Sequence, residues 1–369
     1  MKGKVKMKIL YVVSGLSKQN GISSFVMNYY KNMDHDLFDF TFVAMYDEKS
    51  EYKKIIEQNN DKVIILPSIK KVGSFFHALK NILENEKYDV MHVHLMNLGW
   101  IFFSAAKILS PHTVRVLHAH ATVFGETRWK NVRNRIFSVF SIRLADKLLA
   151  CSKAAGDALF QGKEYTVINN AIDVSEYRFN TDARSKIRKE LNCAEKFVVG
   201  TIARLEVQKN PLFAVDVFYE MLKYSDQIEY WWIGDGSLKG QVEEKIKILG
   251  IQDRFKLLGQ RNDARELYQG MDLFVLPSLF EGLPVVAVEA EASGLPIVMS
   301  DSITREISSE NSKYIPLACG AKAWAKEIYE WITDNQHEFQ KRKNTVGDNF
   351  DICAQVKLLE EQYLKLSDS

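Results

Sequence analysis

The chain has 369 residues, 46% hydrophobic and 26% charged, with 19 glycines, seven prolines and a formal net charge of +2. These are ordinary globular proportions, and at roughly 100–200 residues per domain they predict two domains, or one large one. They exclude a disordered, collagen-like or low-complexity chain. Cys151, Cys193, Cys319 and Cys353 are far apart and form no C-x-x-C pair. That argues against a disulfide framework or a zinc ribbon and fits a reducing compartment. No apolar run reaches the ~18 residues that span a bilayer. The opening MKGKVKMKILYVVSGL has a basic flank, but its apolar run Ile9 to Val13 is short for a signal peptide and reads as a first strand. A cytoplasmic protein is expected.

Charge is unevenly spread. Up to Arg178 there are 25 Lys and Arg against 17 Asp and Glu, and the remainder carries 24 against 30. A basic half joined to an acidic half suggests two domains with different partners. Nucleic acid, an anionic membrane surface or a phosphorylated substrate would each suit the basic half. No zinc-finger or RNA-binding signature supports the first, so no nucleic acid is expected.

Along the chain, short β-branched segments alternate with longer amphipathic ones. Strands are predicted at Lys8–Val13, Phe38–Ala44, Lys62–Leu66, Val90–His94, Thr113–Leu117 and Lys147–Ala150. Helices are predicted around Ser23–Lys31, Phe75–Glu86, Trp100–Leu109 and Asn131–Leu144. The pattern restarts after a bridging stretch near Val167–Tyr177. The second strands are Lys196–Ile202, Ile228–Ile233, Arg254–Leu258, Leu273–Leu276 and Pro296–Met299. Pro211–Lys223, Leu238–Leu249, Ala264–Gln269 and Val285–Ser293 separate them, and Ala321–Asp334 and Cys353–Lys365 are helical at the end. Alternating β and α elements predict an α/β protein with parallel sheets covered on both faces. Two Rossmann-like halves with a cleft between them are expected: residues 1–175, residues 176–350, and a C-terminal helix at 351–369 packing back on the first. In such sheets the ligand sits beyond the carboxyl ends of the strands. The segments to search are therefore Ser14-Gly15, Asn20-Gly21, His118-Ala119-His120, Ala203-Arg204, Gly234-Asp235-Gly236, Gly259-Gln260-Arg261 and Pro277 through Pro284.

The strongest of these is Phe280-Glu281-Gly282-Leu283-Pro284, with Glu289 eight positions after Glu281. Pro284 suits the first turn of a helix, where its missing N–H has no intrahelical partner. Glu281 then lies just ahead of the helix and Glu289 in its second turn. The free N–H groups at such a helix start bind phosphate. Two carboxylates beside a phosphate make sense if they hold the hydroxyls of a sugar and a ribose. Taken alone, the segment also reads as an acidic surface helix carrying Glu281, Glu289 and Glu291. In Arg204-Leu-Glu-Val-Gln-Lys209-Asn210-Pro211 a strand ends, a loop offers one Arg and one Lys, and a helix begins. Arg is a forked donor for phosphate oxygens and Lys a compact charge, and together they suit a diphosphate. An ordinary solvated loop is the plainer reading.

The segment VLPSLFEGLPVVAVEAEASGLPIVMSDSITREI resembles the signature of retaining GT-B glycosyltransferases of glycosyltransferase family four, including its paired glutamates. The resemblance continues through VRVLHAHAT, LLACSKAAGDALF, VINNAIDVSEY, ARLEVQKNP, WWIGDGSLK and FKLLGQRNDARELYQGMDLFVLPS. It is nearest to the bacterial exopolysaccharide and capsule branch. It implies that Arg204 and Lys209 contact the donor diphosphate, and that Glu281 contacts the donor sugar. Gly282, Leu283 and Pro284 would face sugar and phosphate, Glu289 would accept from the ribose hydroxyls, and Gln260-Arg261 would frame the nucleobase. Gly15 or Gly21 would match the loop that closes over the phosphates, and His120 the histidine close to the transferred sugar. Two departures stand out: Asn20-Gly21 where many members have two glycines, and Ala121 where many have an acidic or amide residue.

His92, His94, His118 and His120 form two H-x-H pairs, and i and i+2 on a strand share a face. No nearby Cys or carboxylate completes a metal site, so none is expected there. Asp34-His35-Asp36 has the D-x-D spacing of metal-dependent glycosyltransferases but falls at a turn, away from the strand-end cleft. Trp231-Trp232 read as core packing. Arg128, Lys130, Arg133, Arg135, Arg143 and Lys147 are interleaved with Trp129, Ile136, Phe137, Val139 and Phe140, and only Asp146 opposes them. This stretch reads as a basic amphipathic helix on an anionic membrane, or as an ordinary cover helix.

The expectation is a metal-independent retaining glycosyltransferase without PLP. It would move a sugar from a nucleotide donor, a UDP-sugar above all, to a glycan or lipid-linked acceptor in surface polysaccharide synthesis. It would be cytoplasmic, docked peripherally on the inner face of the cell membrane. The alternatives are a non-catalytic nucleotide-sugar-binding subunit and a GT-B-type epimerase.

Overall fold

The computed structural model describes residues 6–17, 21–46, 50–124, 128–281, 283–307 and 309–367. It divides into two compact units, Met1–Ala171 with Ile352–Ser369, and Ile172–Asp351. The division falls at Ala171/Ile172, a few residues before the boundary read from the sequence. The short turn Val174–Tyr177 belongs to the second unit.

The first unit opens with β1 (Met7–Val13), α1 (Gly21–Asn32), β2 (Phe38–Ala44), α2 (Glu51–Gln58), β3 (Lys62–Ile65) and α3 (Val72–Asn85). It continues with β4 (Val90–Val93), α4 (Gly99–Leu109), β5 (Val114–Ala119), α5 (Arg128–Leu144), β6 (Lys147–Ala150), α6 (Lys153–Phe160) and β7 (Thr166–Val167). The second unit contains α7 (Thr181–Glu190), β8 (Phe197–Ile202), α8 (Pro211–Met221), β9 (Ile228–Ile233), α9 (Lys239–Ile248), β10 (Phe255–Gly259) and α10 (Ala264–Gly270). It ends with β11 (Leu273–Leu276), α11 (Val285–Ala292), β12 (Ile297–Ser300), β13 (Ser312–Ile315) and α12 (Gly320–Phe339). The last helix, α13 (Ile352–Ser367), belongs to the first unit.

Among the described residues the strands form two all-parallel sheets, ordered β3-β2-β1-β4-β5-β6-β7 and β10-β9-β8-β11-β12-β13. Both are covered on both faces, which is why their central strands read as continuous apolar runs. In β1, Ile9, Tyr11 and Val13 point into one core with α1 and α13, while Leu10 and Val12 point into the other with α3 and α4. In β9, Trp231 and Trp232 are fully buried on opposite faces. They are core packing, as the sequence suggested.

Each sheet starts at an inner strand, builds outward to one side, then returns to build on the other. The reversal lies between β1 and β4 in the first unit and between β8 and β11 in the second. At such a switch point the loops after the two adjacent strands diverge and leave a crevice at their carboxyl ends. Asp34-His35-Asp36 lies before β2, at the amino end of the first sheet, so it is remote from that edge. His35 is also held within the fold, its ring nitrogens 3.0 Å from the Tyr30 carbonyl and 3.5 Å from Asp61.

The helix α5 packs in an unusual sense. Its buried side chains are Ser138, Ser141 and Ile142. Ser141 Oγ accepts from the Trp100 N–H at 2.9 Å, and a Cβ at Gly99 would sit 3.2 Å from that oxygen. Small residues thus let α4 and α5 approach closely. The large apolar side chains Trp129, Val132, Ile136, Phe137 and Phe140 are left exposed, Trp129 at 76%. Among the described residues no helix is long and apolar enough to cross a membrane.

Candidate functional site

In the second unit the expected residues fall on the loops after β8, β9, β10 and β11. The loop after β8 runs into α8 through Asn210, whose φ of 54° lets it cap the helix just ahead of Pro211. It is braced by the glycine turn after β9. Leu205 N–H donates to the Asp235 carbonyl at 3.0 Å, and the Ser237 N–H and hydroxyl both donate to Glu206, at 3.0 and 2.7 Å. Gly234 has φ +136°, and a Cβ there or at Gly236 would strike the backbone of Ala203 or Leu205. Only glycine permits this contact, so the Gly-Asp-Gly turn sets the shape of the Arg204–Lys209 loop.

Across the switch point, Leu279 N–H donates to the Gln208 carbonyl at 2.8 Å. Lys209 Nζ forms a salt bridge with Glu281 Oε1, and Gln208 Nε2 donates to Glu281 Oε2 at 3.2 Å and to the Phe280 carbonyl at 3.1 Å. Two residues singled out separately in the sequence are thereby a bonded pair. Arg204 is exposed, and its guanidinium has no hydrogen bond or salt bridge among the described residues. Its field reaches Glu206, whose carboxyl is held below its ordinary range chiefly by the two Ser237 hydrogen bonds. The loop thus presents one unengaged guanidinium beside an ammonium held by a carboxylate, a combination suited to a polyanion.

Gly282 lies outside the described residues, as does Asn20. Leu283 and Pro284 are buried. Pro284 precedes the helix at φ −74° and ψ 107°, so it caps α11 and is not in its first turn. Glu289 lies in the second turn of α11, where Tyr177 Oη donates to Oε1 at 2.9 Å and Tyr268 Oη to Oε2 at 2.8 Å. Burial raises its pKa against these hydrogen bonds and the charge of Arg265. Glu291 is buried and accepts from Thr345 Oγ1 at 2.8 Å. The surface-helix reading of this segment therefore fails, because Glu291 is buried and Glu281 and Glu289 are half-buried, each held by hydrogen bonds within the unit. Tyr177 and Tyr268 lie within the segments VINNAIDVSEY and FKLLGQRNDARELYQGMDLFVLPS but the sequence reading gave them no role; only the fold brings both to one carboxylate.

Gln260 is exposed at the end of β10. Arg261 donates Nε to Asp263 Oδ1 at 2.7 Å and forms a salt bridge with Glu190 at 2.9 Å. These carboxylates raise its pKa. Its guanidinium is committed within the unit, so a nucleobase would meet a braced loop there.

In the first unit, Gly15 is buried in the loop after β1, where its carbonyl accepts from Ser23 Oγ at 2.7 Å. Gly21 is exposed as the first residue of α1, with open space where a Cβ would stand. His120 is half-buried immediately after β5. Its ring stacks on His118 at 4.3 Å and meets the edge of Phe25 at 4.8 Å. Burial pushes its pKa down to about 3. His92, His94 and His118 are buried beside it, each with its pKa lowered mainly by burial. One ring nitrogen of each lies within 4.8 Å of the others, close enough to share an ion. His92 is also hydrogen-bonded to His118 and to Tyr363 on α13, and His94 to His120.

Residues 19–176 match the model of Glycosyltransferase Family 4, and residues 196–334 that of Glycosyl transferases group 1. EpsF of Bacillus subtilis (strain 168), whose name describes a glycosyltransferase, is 30% identical over 314 residues, covering 82% of this chain and 81% of its own. The UDP-Gal:alpha-D-GlcNAc-diphosphoundecaprenol alpha-1,3-galactosyltransferase of Escherichia coli is 28% identical over 61% of this chain and 60% of its own. HepE of Anabaena, solved in complex with UDP, superimposes with a TM-score of 0.83 at 23% identity, over 97% of this chain and 100% of that one. The two parallel-sheet units are the GT-B fold, and the chain belongs to the family 4 glycosyltransferases.

Proposed function

We propose that the protein is a retaining glycosyltransferase that moves a sugar from a UDP-sugar to a glycan or lipid-linked acceptor during surface polysaccharide synthesis. The observation that carries this reading is the junction at the second switch point, where Lys209 bonds Glu281 and Arg204 stands unengaged. Breaking a glycosyl–phosphate bond builds negative charge on the departing diphosphate. Fixed cations at that position stabilise the transition state more than the ground state, and they act most strongly where water is excluded. Arg204 and Lys209 take this role, with no divalent metal and no PLP. Glu281 contacts hydroxyls of the donor sugar, Glu289 those of the ribose, and the Gln260–Arg261 loop borders the base. On the first unit, His120 makes a hydrogen-bonding contact to the transferred sugar. The leaving phosphate accepts the acceptor's proton, which accounts for a site without an evident general base.

A UDP donor is supported by the complex of HepE with UDP and by the name of the Escherichia coli relative. That name also describes a lipid-diphosphate acceptor. A lipid-linked acceptor agrees with the outward apolar face of α5, flanked by Arg128, Lys130, Arg133, Arg135 and Arg143. The helix suits an anionic bilayer at the inner face of the cell membrane, with the protein on the cytoplasmic side.

The deciding experiment is a donor screen over UDP-, GDP- and ADP-sugars with and without acceptor, reading the anomeric configuration of the product by NMR. A UDP-sugar consumed only with acceptor, with its configuration kept, is expected. Binding without turnover would identify a nucleotide-sugar-binding subunit, and an isomerised sugar without acceptor would identify an epimerase.

A further inference from the structure

The four histidines of the first unit form two hydrogen-bonded runs whose proton directions can be fixed from their ends. In the longer run Tyr11 Oη donates to Met33 Sδ at 3.9 Å, so towards Tyr363 Oη, 3.0 Å away, it accepts. Tyr363, donating to Tyr11, accepts in turn from His92 Nδ1 at 2.5 Å. A neutral imidazole protonated on Nδ1 has a lone pair on Nε2. His92 Nε2 therefore accepts from His118 Nδ1 at 3.1 Å, and His118 Nε2 is left unprotonated. That atom is buried and has no hydrogen-bond partner among the described residues. A buried acceptor without a partner is tolerated better than an orphaned N–H, so both ends of the run give the same direction.

The shorter run obeys the same rule. His94 Nδ1 lies 2.8 Å from His120 Nε2, and His94 Nε2 is buried without a hydrogen-bond partner among the described residues. His94 thus carries its proton on Nδ1 and donates it to His120 Nε2. His120 must then carry its own proton on Nδ1, a nitrogen with no hydrogen bond to any described residue. Burial keeps all four rings neutral.

We propose that His94 is a positioning residue that holds His120 in the Nδ1-protonated tautomer, so that His120 meets its ligand as a hydrogen-bond donor to a hydroxyl or phosphate oxygen and not as a base. The ligand side of this proposal rests on the reading of His120 as a sugar contact; the tautomer does not. Because the His94 N–H donates to the Val12 carbonyl at the end of β1 at 2.9 Å, which fixes the backbone just after β4, the direction of the His120 proton is set before any ligand arrives.

The test is a long-range proton–nitrogen correlation spectrum of the full chain labelled with 15N-histidine, where the two neutral tautomers give different cross-peak patterns. His120, assigned by its loss in H120Q, is expected to be protonated on Nδ1. His94→Phe keeps a ring but removes the donor; His120 should shift towards Nε2 protonation, and kcat should fall about tenfold, the scale for losing a partner that orients a functional imidazole. His94→Asn places an amide N–H near the former Nδ1 and should restore both readouts. Wild-type His120 protonated on Nε2, or a tautomer unchanged in His94→Phe, overturns the proposal. So does zinc binding at the four rings, seen as loss of the Nδ1–H signals on titration. If His94→Phe does not fold, the wild-type spectrum alone decides. A protein that turns over no nucleotide sugar yet shows the Nδ1 tautomer refutes the functional reading and leaves the positioning role standing.

Discussion

The Lys209 ammonium and the Glu281 carboxylate form a salt bridge with side chains only 15% and 8% exposed. The pair joins the loop after β8 to the loop after β11, the two strands that flank the switch point of the second sheet. Removing one member of a shielded pair leaves the other charge desolvated and uncompensated. This gives Lys209 a structural duty that Arg204, exposed on the same loop, does not share.

Arg204→Ala and Lys209→Ala should each lower kcat by at least ~100-fold, the scale for removing one electrostatic stabiliser. Their effects on stability should differ. Arg204→Ala should change it by less than about 0.5 kcal/mol, as for other exposed positions. Lys209→Ala should cost roughly 1–3 kcal/mol, because Glu281 loses its partner. Steady-state kinetics with thermal unfolding of both variants checks this. Near-normal kcat in both would place the diphosphate elsewhere.

Glu289→Ala should act mainly on nucleotide binding. The carboxylate already accepts from Tyr177 and Tyr268, and its remaining lone pairs are available to the ribose. Ribose contacts change little on the way to the transition state, so kcat should hold while affinity falls. Calorimetric titration with UDP should show Kd rising roughly tenfold or more, as for hydrogen bonds to a charged group. A selective loss of kcat would instead tie Glu289 to the chemical step.

Activity should persist in excess EDTA. Arg204 and Lys209 supply the positive charge beside the expected diphosphate, and Asp34-His35-Asp36 lies at the amino end of the first sheet. Assays across a chelator series decide this. Loss of turnover, restored by magnesium or manganese, would show that an ion does part of the work assigned to the two cations.

Stability should fall as pH drops below about 6.5, the ordinary histidine value. Burial lowers the pKa of His92, His94 and His118 in the folded state, so below that pH the unfolded chain binds protons that the native chain does not. Stability is therefore complete above the unfolded value and is lost as pH falls towards the depressed native values. Each such ring contributes a slope of about 1.4 kcal/mol per pH unit in this window. Denaturant titrations of the first unit's transition between pH 7 and 5, wild type against His118→Phe, measure it. Equal slopes in the two proteins would mean that His118 is charged in the native state.

Changing Arg128, Lys130, Arg133 and Arg135 to Gln should weaken binding to anionic vesicles by roughly 4 kcal/mol at low salt, at about 1 kcal/mol per residue. Screening should shrink the difference as salt rises. Turnover of a short soluble acceptor should survive. Flotation with phosphatidylglycerol vesicles reads the result directly. If the wild type stays at the bottom of the gradient, or the quadruple variant floats as well, α5 is a cover helix and its basic residues serve another end.

Much of this molecule was legible before folding. β2, β6, β9 and β11 have the bounds their apolar runs predict, because strands buried on both faces admit little polar interruption. The edge strands β7 and β13 escaped, being short and only partly buried, as did the polar helices α2 and α7. The outward face of α5 could not be read from its own sequence. Its orientation is fixed by Ser138, Ser141 and Gly99, where small residues let two helices approach, and a contact between helices is not a property of either.

By itself the sequence determined which chemical groups stand at the strand ends: Arg204, Lys209, Glu281, Glu289 and His120 lie in or beside turns that the β–α alternation locates. Tertiary structure decided what each is bonded to. Lys209 and Glu281 are 72 residues apart and meet only because the sheet reverses between β8 and β11. Glu289 is held by Tyr177 and Tyr268 from two other segments, and the His94–His120 contact depends on pairing β4 with β5. Residue type sets what a side chain can donate or accept. Which partner completes it, and hence its charge and tautomer, depends on neighbours at angstrom distance that no local sequence pattern specifies.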